Sequence, residues 1–342
     1  MSKILDTDFS TTTFRERDVR QNPVILIGTQ CPVTSRMRKA PKPLSSTPEW
    51  VVKTYASPVI TGTIEGAVPT ASDAESNLSN KGLIKSRFIK SRRFVQVSDE
   101  ANLLAKQYGV SAATVFQDNK IDKGIEIHRD IEAVTLADQD GVPPAADTTA
   151  SVTRGIPRTL SNADANFAGD TATRPDSTFR TPTASILNNI ATADLVTETN
   201  IRTALQSVAE TRKIDSTNFL GVCRPAMRSQ FATFTFTDKS GSTSTNFPLR
   251  RWNQTEGEIN AICTKYNSDF GPIDLITSHL IDSTCHMLGL DMEMVELGYA
   301  LAPTYEELPR DGSNQRGQWT AIYVPMNLNP QAHFIATSRA TA

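Results

Sequence analysis

The chain has 342 residues, 38% of them apolar, with 35 basic and 37 acidic side chains and a net charge of −2. On the usual scale of about 100–200 residues per domain this admits one large core or two modest ones. Four cysteines, Cys31, Cys223, Cys263 and Cys285, lie far apart with no C-x-x-C pair, which argues against a disulfide framework or a structural zinc site.

The charge is unevenly placed. Residues 1–98 carry 15 Lys/Arg against 8 Asp/Glu, whereas residues 271–311 carry 1 against 8. Opposed fields in one chain suggest contact between different parts of neighbouring copies rather than one nucleic-acid surface. No apolar run is long enough for a signal peptide or a membrane span, so the chain is expected to be made and kept in a reducing cytoplasm, or in something assembled there.

Residues 1–48 read as an arm. The short apolar run containing Val24, Ile25 and Ile27 is followed by a basic, proline-rich piece that cannot close a core of its own. An alternating segment starts at Glu49-Trp50 and reaches Gly66 through Ile64, and after a polar stretch the chain returns as Leu83 to Val97. This return carries Arg87, Lys90, Arg92 and Arg93 beside Phe88 and Phe94. Two such segments predict a long hairpin, 49–97, too narrow to bury its apolar residues, so several of Val24, Ile25, Ile27, Trp50, Ile64 and Phe94 are expected to be covered by neighbouring copies.

Ser98 is placed to cap a short helix ending near Tyr108-Gly109. A long helix is predicted over 114–136, with Gln117, Ile121, Ile125, His128, Ile131 or Glu132, and Thr135 on one face and Asp118, Asp122, Glu126 and Asp130 among the charged residues opposite. At about 1.5 Å per residue it spans roughly 30 Å, enough to act as a spine. Residues 138–194 read as a long loop, a kind of segment that carries function or interface. From Thr197, a helix cap, helices and strands alternate to about residue 300: Phe219 to Val222, Phe231 to Thr237, Gly257 to Lys265 and Asp274 to Thr277 as strands, and Leu280 to Leu288 as a helix. An acidic turn holding Glu306 and Glu307, a strand Gln318 to Leu328 and a last strand His333 to Thr337 close the chain.

Catalytic patterns are missing from the sequence: it has no Gly-rich phosphate loop, no H-E-x-x-H and no G-x-S-x-G. His279, Asp282 and His286 have helix-like metal spacing, which a polar helix face explains equally well. No cofactor and no metal is expected.

The stretch Lys265-Tyr-Asn-Ser-Asp-Phe-Gly271, followed by Pro-Ile-Asp-Leu-Ile276, resembles a signature of tailed-bacteriophage major capsid proteins with the Hong Kong 97-type fold. Glu49-Trp50, Glu65-Gly66, Asp130-Ile-Glu132, Arg154-Gly-Ile156, Thr197 to Leu205, Glu307, Asp311-Gly312, Gly317 and Asn329-Pro330 with Ala332-His333 are similar landmarks in the same order. The return Arg87-Phe-Ile-Lys-Ser-Arg-Arg93 departs from the polar version common in that family. The resemblance implies a mixed α/β fold: an arm (1–48), an extended loop (49–97), a peripheral domain (98–195 with the spine helix, closed by 301–342) and an axial domain (196–300). It also implies a structural role in the virion, as hexamers and pentamers of an icosahedral shell around double-stranded DNA, with scaffold, portal and decoration proteins as partners and no membrane.

Under that reading the basic strand Arg87 to Arg93 is expected to meet acids of the next subunit, on the spine helix (Asp122, Glu126, Asp130) or at Glu306-Glu307. DNA is expected to be enclosed without being read; the competing role for Arg15, Arg17, Arg20, Arg36, Arg38 and Lys39 is a basic arm gripping nucleic acid. The alternative from another class is a soluble cytoplasmic α/β enzyme forming a small closed oligomer around a polar cleft.

Overall fold

The computed structural model describes residues 28, 30–43, 45–55, 58, 60, 62, 64–68, 81–104, 115–145, 148–160, 179–214, 217–231, 234–237, 246–248, 251–253, 258–260 and 264–339. In chain order the strands of its first half are β1 (Arg38–Ala40), β2 (Glu49–Lys53), β3 (Lys81–Lys85), β4 (Ile89–Ser98) and β5 (Ile186–Leu187). Those of the second half are β6 (Phe219–Cys223), β7 (Thr235–Thr237), β8 (Asn246–Pro248), β9 (Arg251–Asn253), β10 (Glu258–Asn260), β11 (Lys265–Ser268), β12 (Gly271–Thr277), β13 (Cys285–Leu290), β14 (Val295–Leu308), β15 (Asn314–Asn327) and β16 (Phe334–Thr337). The helices are α1 (Asp99–Leu104), α2 (Val115–Thr135), α3 (Ile156–Thr159), α4 (Glu198–Arg212) and α5 (Pro225–Phe231).

The chain divides into two compact units. One contains Arg92–Ile127 and Pro303–Thr320; the other contains Gln30–Ser91, His128–Ala302 and Ala321–Ala342. The division falls within β4, α2, β14 and β15.

In the smaller unit, β4 alternates strictly. Val95 and Val97 turn inward and pack with Val115, Phe116 and Tyr305, while Arg92, Phe94 and Gln96 turn outward. Ser98 caps α1, its hydroxyl accepting from the Ala101 amide at 3.3 Å. The long helix is present as α2, and its inward stripe agrees with the periodicity in its last turns, at Ile131 and Thr135, but not before them. Ile121 is exposed, and the inward positions run Phe116, Lys120, Gly124, Ile127, Ile131 and Thr135. The stripe escapes a hydrophobicity reading because two of its middle positions are a lysine and a glycine. The Lys120 ammonium sits 3.8 Å from the Tyr305 ring centroid, and the Trp319 indole N–H donates to the Lys120 carbonyl at 2.9 Å. Gly124 leaves room for that indole, since a Cβ there would lie 3.1 Å from Trp319.

The larger unit is built on a six-stranded sheet in the order β11-β12-β6-β13-β16-β5. β6 runs parallel to β12 and antiparallel to β13, and β16 lies between β13 and β5. Helices α4 and α5 cover this sheet: Ile201, Ala204, Leu205, Val208, Met227 and Phe231 meet Phe219, Ile273, Leu275, Met287 and Phe334. The Thr197 hydroxyl accepts from the Asn200 amide at the start of α4, the cap that the sequence suggested. Within the signature stretch, the Ser268 hydroxyl donates to the Gly271 carbonyl at 2.7 Å, and Gly271 has φ +125. A Cβ there would lie 2.2 Å from the Thr217 carbonyl oxygen, so the β11–β12 turn demands glycine.

Several expected elements differ. Leu280 to Leu288 is not a helix: residues 278–284 bend and turn, and Cys285–Leu290 is β13, wholly buried between β6 and β16. A short apolar run is ambiguous in periodicity, and here strand neighbours on both sides decide it. Phe231 ends α5 instead of starting a strand, and Phe234 folds back on it with ring centroids 5.0 Å apart. Glu306 and Glu307 belong to strand β14; the turn follows Leu308 and contains Gly312 at φ +67. Within 138–194 the described residues include α3, β5 and the bridge Val142↔Val152, and Arg154, Ile156, Leu160 and Ile186 are buried. The end expected for α1 near Tyr108-Gly109 lies outside the described residues.

Replacing Gly124 by valine should remove about 1–3 kcal/mol of stability, because the added branches meet the Trp319 indole and a packed site resists overfilling. Thermal denaturation of Gly124→Val against the parent checks this, and an unchanged midpoint would show that Trp319 moves freely.

Candidate subunit interface

The expected contact residues fall into three groups. Val24, Ile25 and Ile27 lie outside the described residues. Trp50 is half-buried within its own chain: its indole N–H donates to the Leu328 carbonyl at 3.1 Å, and it lines a small cavity with Ile84, Ser86, Arg154, Pro325 and Pro330. The third group is exposed or half-exposed around β4, α2 and β14.

The β2–β3 hairpin is antiparallel, pairing Glu49 with Lys85 and Lys53 with Lys81, and a Glu49–Lys85 ion pair at 3.1 Å reinforces its open end. Beyond β2 the chain carries a series of bare apolar side chains. Tyr55 is 84% exposed, Ile60 96%, Ile64 83% and Val68 81%. Of these, only Ile64 was singled out from the sequence. The signal available for the others was the same, large apolar residues in a stretch too polar to form a core.

Neighbouring arginines of β4 face opposite ways, as successive strand residues must. Arg93 turns toward α2, where it meets Glu126 of its own chain at 3.4 Å; Glu126 also receives the Lys123 ammonium at 2.7 and 2.8 Å. Arg92 is exposed. Arg87 and Asp130 are half-buried, and Asp122 is exposed. Glu306 and Glu307 are exposed on β14, and Glu306 accepts from the Gln318 amide at 3.2 Å. A fully buried acid that was not a candidate contact also stands out. The Glu132 carboxylate accepts from the Val33 and Thr34 amides at 3.2 and 2.9 Å and from the Thr34 hydroxyl at 2.8 Å.

Among the described residues, several interior polar groups hold the fold together. Asp282 accepts from the Asp138 amide and from Thr284, and the His286 Nε2 bonds the Ile190 carbonyl at 2.7 Å. His279 is exposed, and among the described residues no three His, Cys, Asp or Glu gather as a metal site. His333 is fully buried in a chain of bonds. The Asp291 amide donates to its Nδ1 at 3.0 Å, so Nε2 carries the proton and donates to Asn327 Oδ1 at 3.0 Å. Asn327 in turn donates to the Thr159 hydroxyl at 2.9 Å, and the Arg212 guanidinium donates to the Asp291 carboxylate at 2.7 Å. Among the described residues no helix is long and apolar enough to cross a membrane.

The six-stranded sheet with its two helices, the 21-residue α2, the paired 14-residue strands β14 and β15, and the β2–β3 hairpin are the elements of a capsid protein fold of the Hong Kong 97 type. Solved structures agree with that class. A structure from Gordonia phage Cozz superposes with a TM-score of 0.56 at 15% identity, covering 95% of this chain and 91% of that one. One from Mycobacterium phage Ogopogo has a TM-score of 0.55 at 13% identity, covering 98% and 99%. The asymmetric unit of the bacteriophage PhiM1 mature capsid has a TM-score of 0.55 at 11% identity, covering 96% and 91%. The sequence model of the SU10 major capsid protein family matches residues 5–339, and the chain belongs to that family. A comparison with curated protein sequences finds no match. Membership makes the chain a capsid shell protein of the virion and leaves the enzyme alternative without support.

Burial, and after it the Arg212 guanidinium, hold the His333 imidazole down at about 3. In the unfolded chain the same group titrates near 6.5. The contribution of neutral His333 is therefore complete above about pH 6.5 and is lost as the pH falls toward 3, at up to about 1.4 kcal/mol per pH unit for one proton. Denaturant midpoints measured from pH 7 to 4 should fall less steeply for His333→Asn than for the parent; equal slopes would contradict this assignment.

Proposed function

We propose that this protein forms the hexamers and pentamers of an icosahedral head enclosing double-stranded DNA, assembled in the bacterial cytoplasm with scaffold and portal proteins and, on the finished particle, decoration proteins. The observation that carries the reading is the exposed apolar series Tyr55, Ile60, Ile64 and Val68. Each such side chain gains about 1.5–3 kcal/mol when fully buried, and its own chain does not bury it. A neighbouring copy, repeated through the shell, supplies the missing cover. Residues 49–97 then act as the extended loop, 1–48 as the arm, 98–195 and 301–342 as the peripheral domain and 196–300 as the axial domain.

The DNA is enclosed and not read. Arg38, one of the six arm cations considered for gripping nucleic acid, donates to the Glu293 carbonyl at 3.1 Å and lies 3.6 Å from Glu296, so part of its charge is answered by its own chain. Arg36 and Lys39 are exposed, and Arg15, Arg17 and Arg20 lie outside the described residues.

Electron microscopy of the purified chain, with and without its scaffold, tests the shell: a discrete monomer or dimer under both conditions would rule it out. Replacing Ile60 and Ile64 together by aspartate should leave the melting midpoint within about 0.5 kcal/mol equivalent of the parent, as exposed substitutions do, while abolishing closed particles. Parent-like particles from the double variant would show that the loop is not a required contact.

A further inference from the structure

The two adjacent arginines of β4 have separate tasks. Arg93 is spoken for inside the subunit, by Glu126 on α2 at 3.4 Å. Arg92 lies on the opposite face of the strand with Phe94, which is 46% exposed, and Gln96. That face has an apolar side chain and a cation side by side, and among the described residues no carboxylate is paired with Arg92.

The acids of the same unit divide in the same way. Glu126 is occupied by Lys123 and Arg93, and Glu306 is engaged by Gln318. Asp311 is paired with Arg316 at 3.0 Å, and Asp99 lies 3.5 Å from Arg310. Asp122 on α2 and Glu307 on β14 remain exposed, with no hydrogen bond or ion pair of their own among the described residues. Glu307 is felt only through its field, which helps raise the Tyr305 hydroxyl after burial has done most of that work. Among the described residues of this unit, an arginine beside a half-bare phenylalanine and the exposed carboxylates Glu100, Asp122 and Glu307 give the subunit complementary charges for joining to itself.

We propose that Arg92 and Phe94 form a docking patch for a second copy of this chain, whose Asp122 or Glu307 carboxylate receives the Arg92 guanidinium, while Arg93 serves only its own subunit's fold. This rests on the capsid reading and names a contact within it. When a second copy covers Phe94, the neighbouring Arg92 loses water too, so an ion pair it makes across that interface is stronger than an open surface pair. A heterologous contact of this kind, with different patches on the two partners, builds rings when its rotation closes.

The test compares charge reversals in the full-length chain, under conditions in which the parent forms particles. Failure of the parent to assemble would count against the capsid reading itself, so the variants are judged only against an assembling parent. Arg92→Glu should fold with the parent's melting temperature and lose at least tenfold in particle yield. Its yield should return when Asp122→Arg or Glu307→Arg is added, and the rescuing partner identifies the acceptor. Arg93→Glu should instead lower the melting temperature, and Glu126→Arg should restore it. Parent-like assembly of Arg92→Glu, a melting temperature lowered as much as that of Arg93→Glu, or a block that neither acidic reversal relieves overturns the proposal.

Discussion

A carboxylate with no exposed surface holds the start of the described chain to the end of its long helix. Glu132 sits one turn before the end of α2 and takes three hydrogen bonds from Val33 and Thr34, about one hundred residues earlier. Burying a charge costs several kcal/mol unless it is fully bonded, so these contacts act together or not at all. The bonded turn leads directly into β1, which pairs with β14 in parallel at Arg38↔Glu296. Residues 33–40 are therefore tied both to α2 and to β14.

Much of the fold was legible because local chemistry and tertiary packing agree. The Thr197 cap, the stripe Ile201, Leu205 and Val208, and the alternation along β4 are the same in the sequence and in the structure. Misreading occurred where packing overrides pattern. β13 is apolar at nearly every position because it has a strand on each side, and a fully covered strand has no period to detect. The inward face of α2 was missed in its first turns because Lys120 and Gly124 owe their partial cover to Tyr305 and Trp319, nearly two hundred residues away.

The contact surface was legible in part. Adjacent arginines in a strand must point to opposite faces, so the separation of Arg92 from Arg93 could have been read from sequence once β4 was assigned. Which face met α2 could not, since that depends on where Glu126 comes round on the helix. Trp50 shows the converse. Its place in a narrow hairpin suggested that it needed a neighbour, yet the Leu328 carbonyl and the Pro325 and Pro330 rings give its indole partial cover within the subunit.

The position of β16 bears on when this sheet is completed. It lies inside the six-stranded sheet, between β13 and β5, although it comes last of the strands. Until residues 334–337 have left the ribosome, β13 and β5 each present an open edge, the kind of surface that pairs with the wrong chain. The sheet is thus whole only after β16 has slotted between two strands that were made before it.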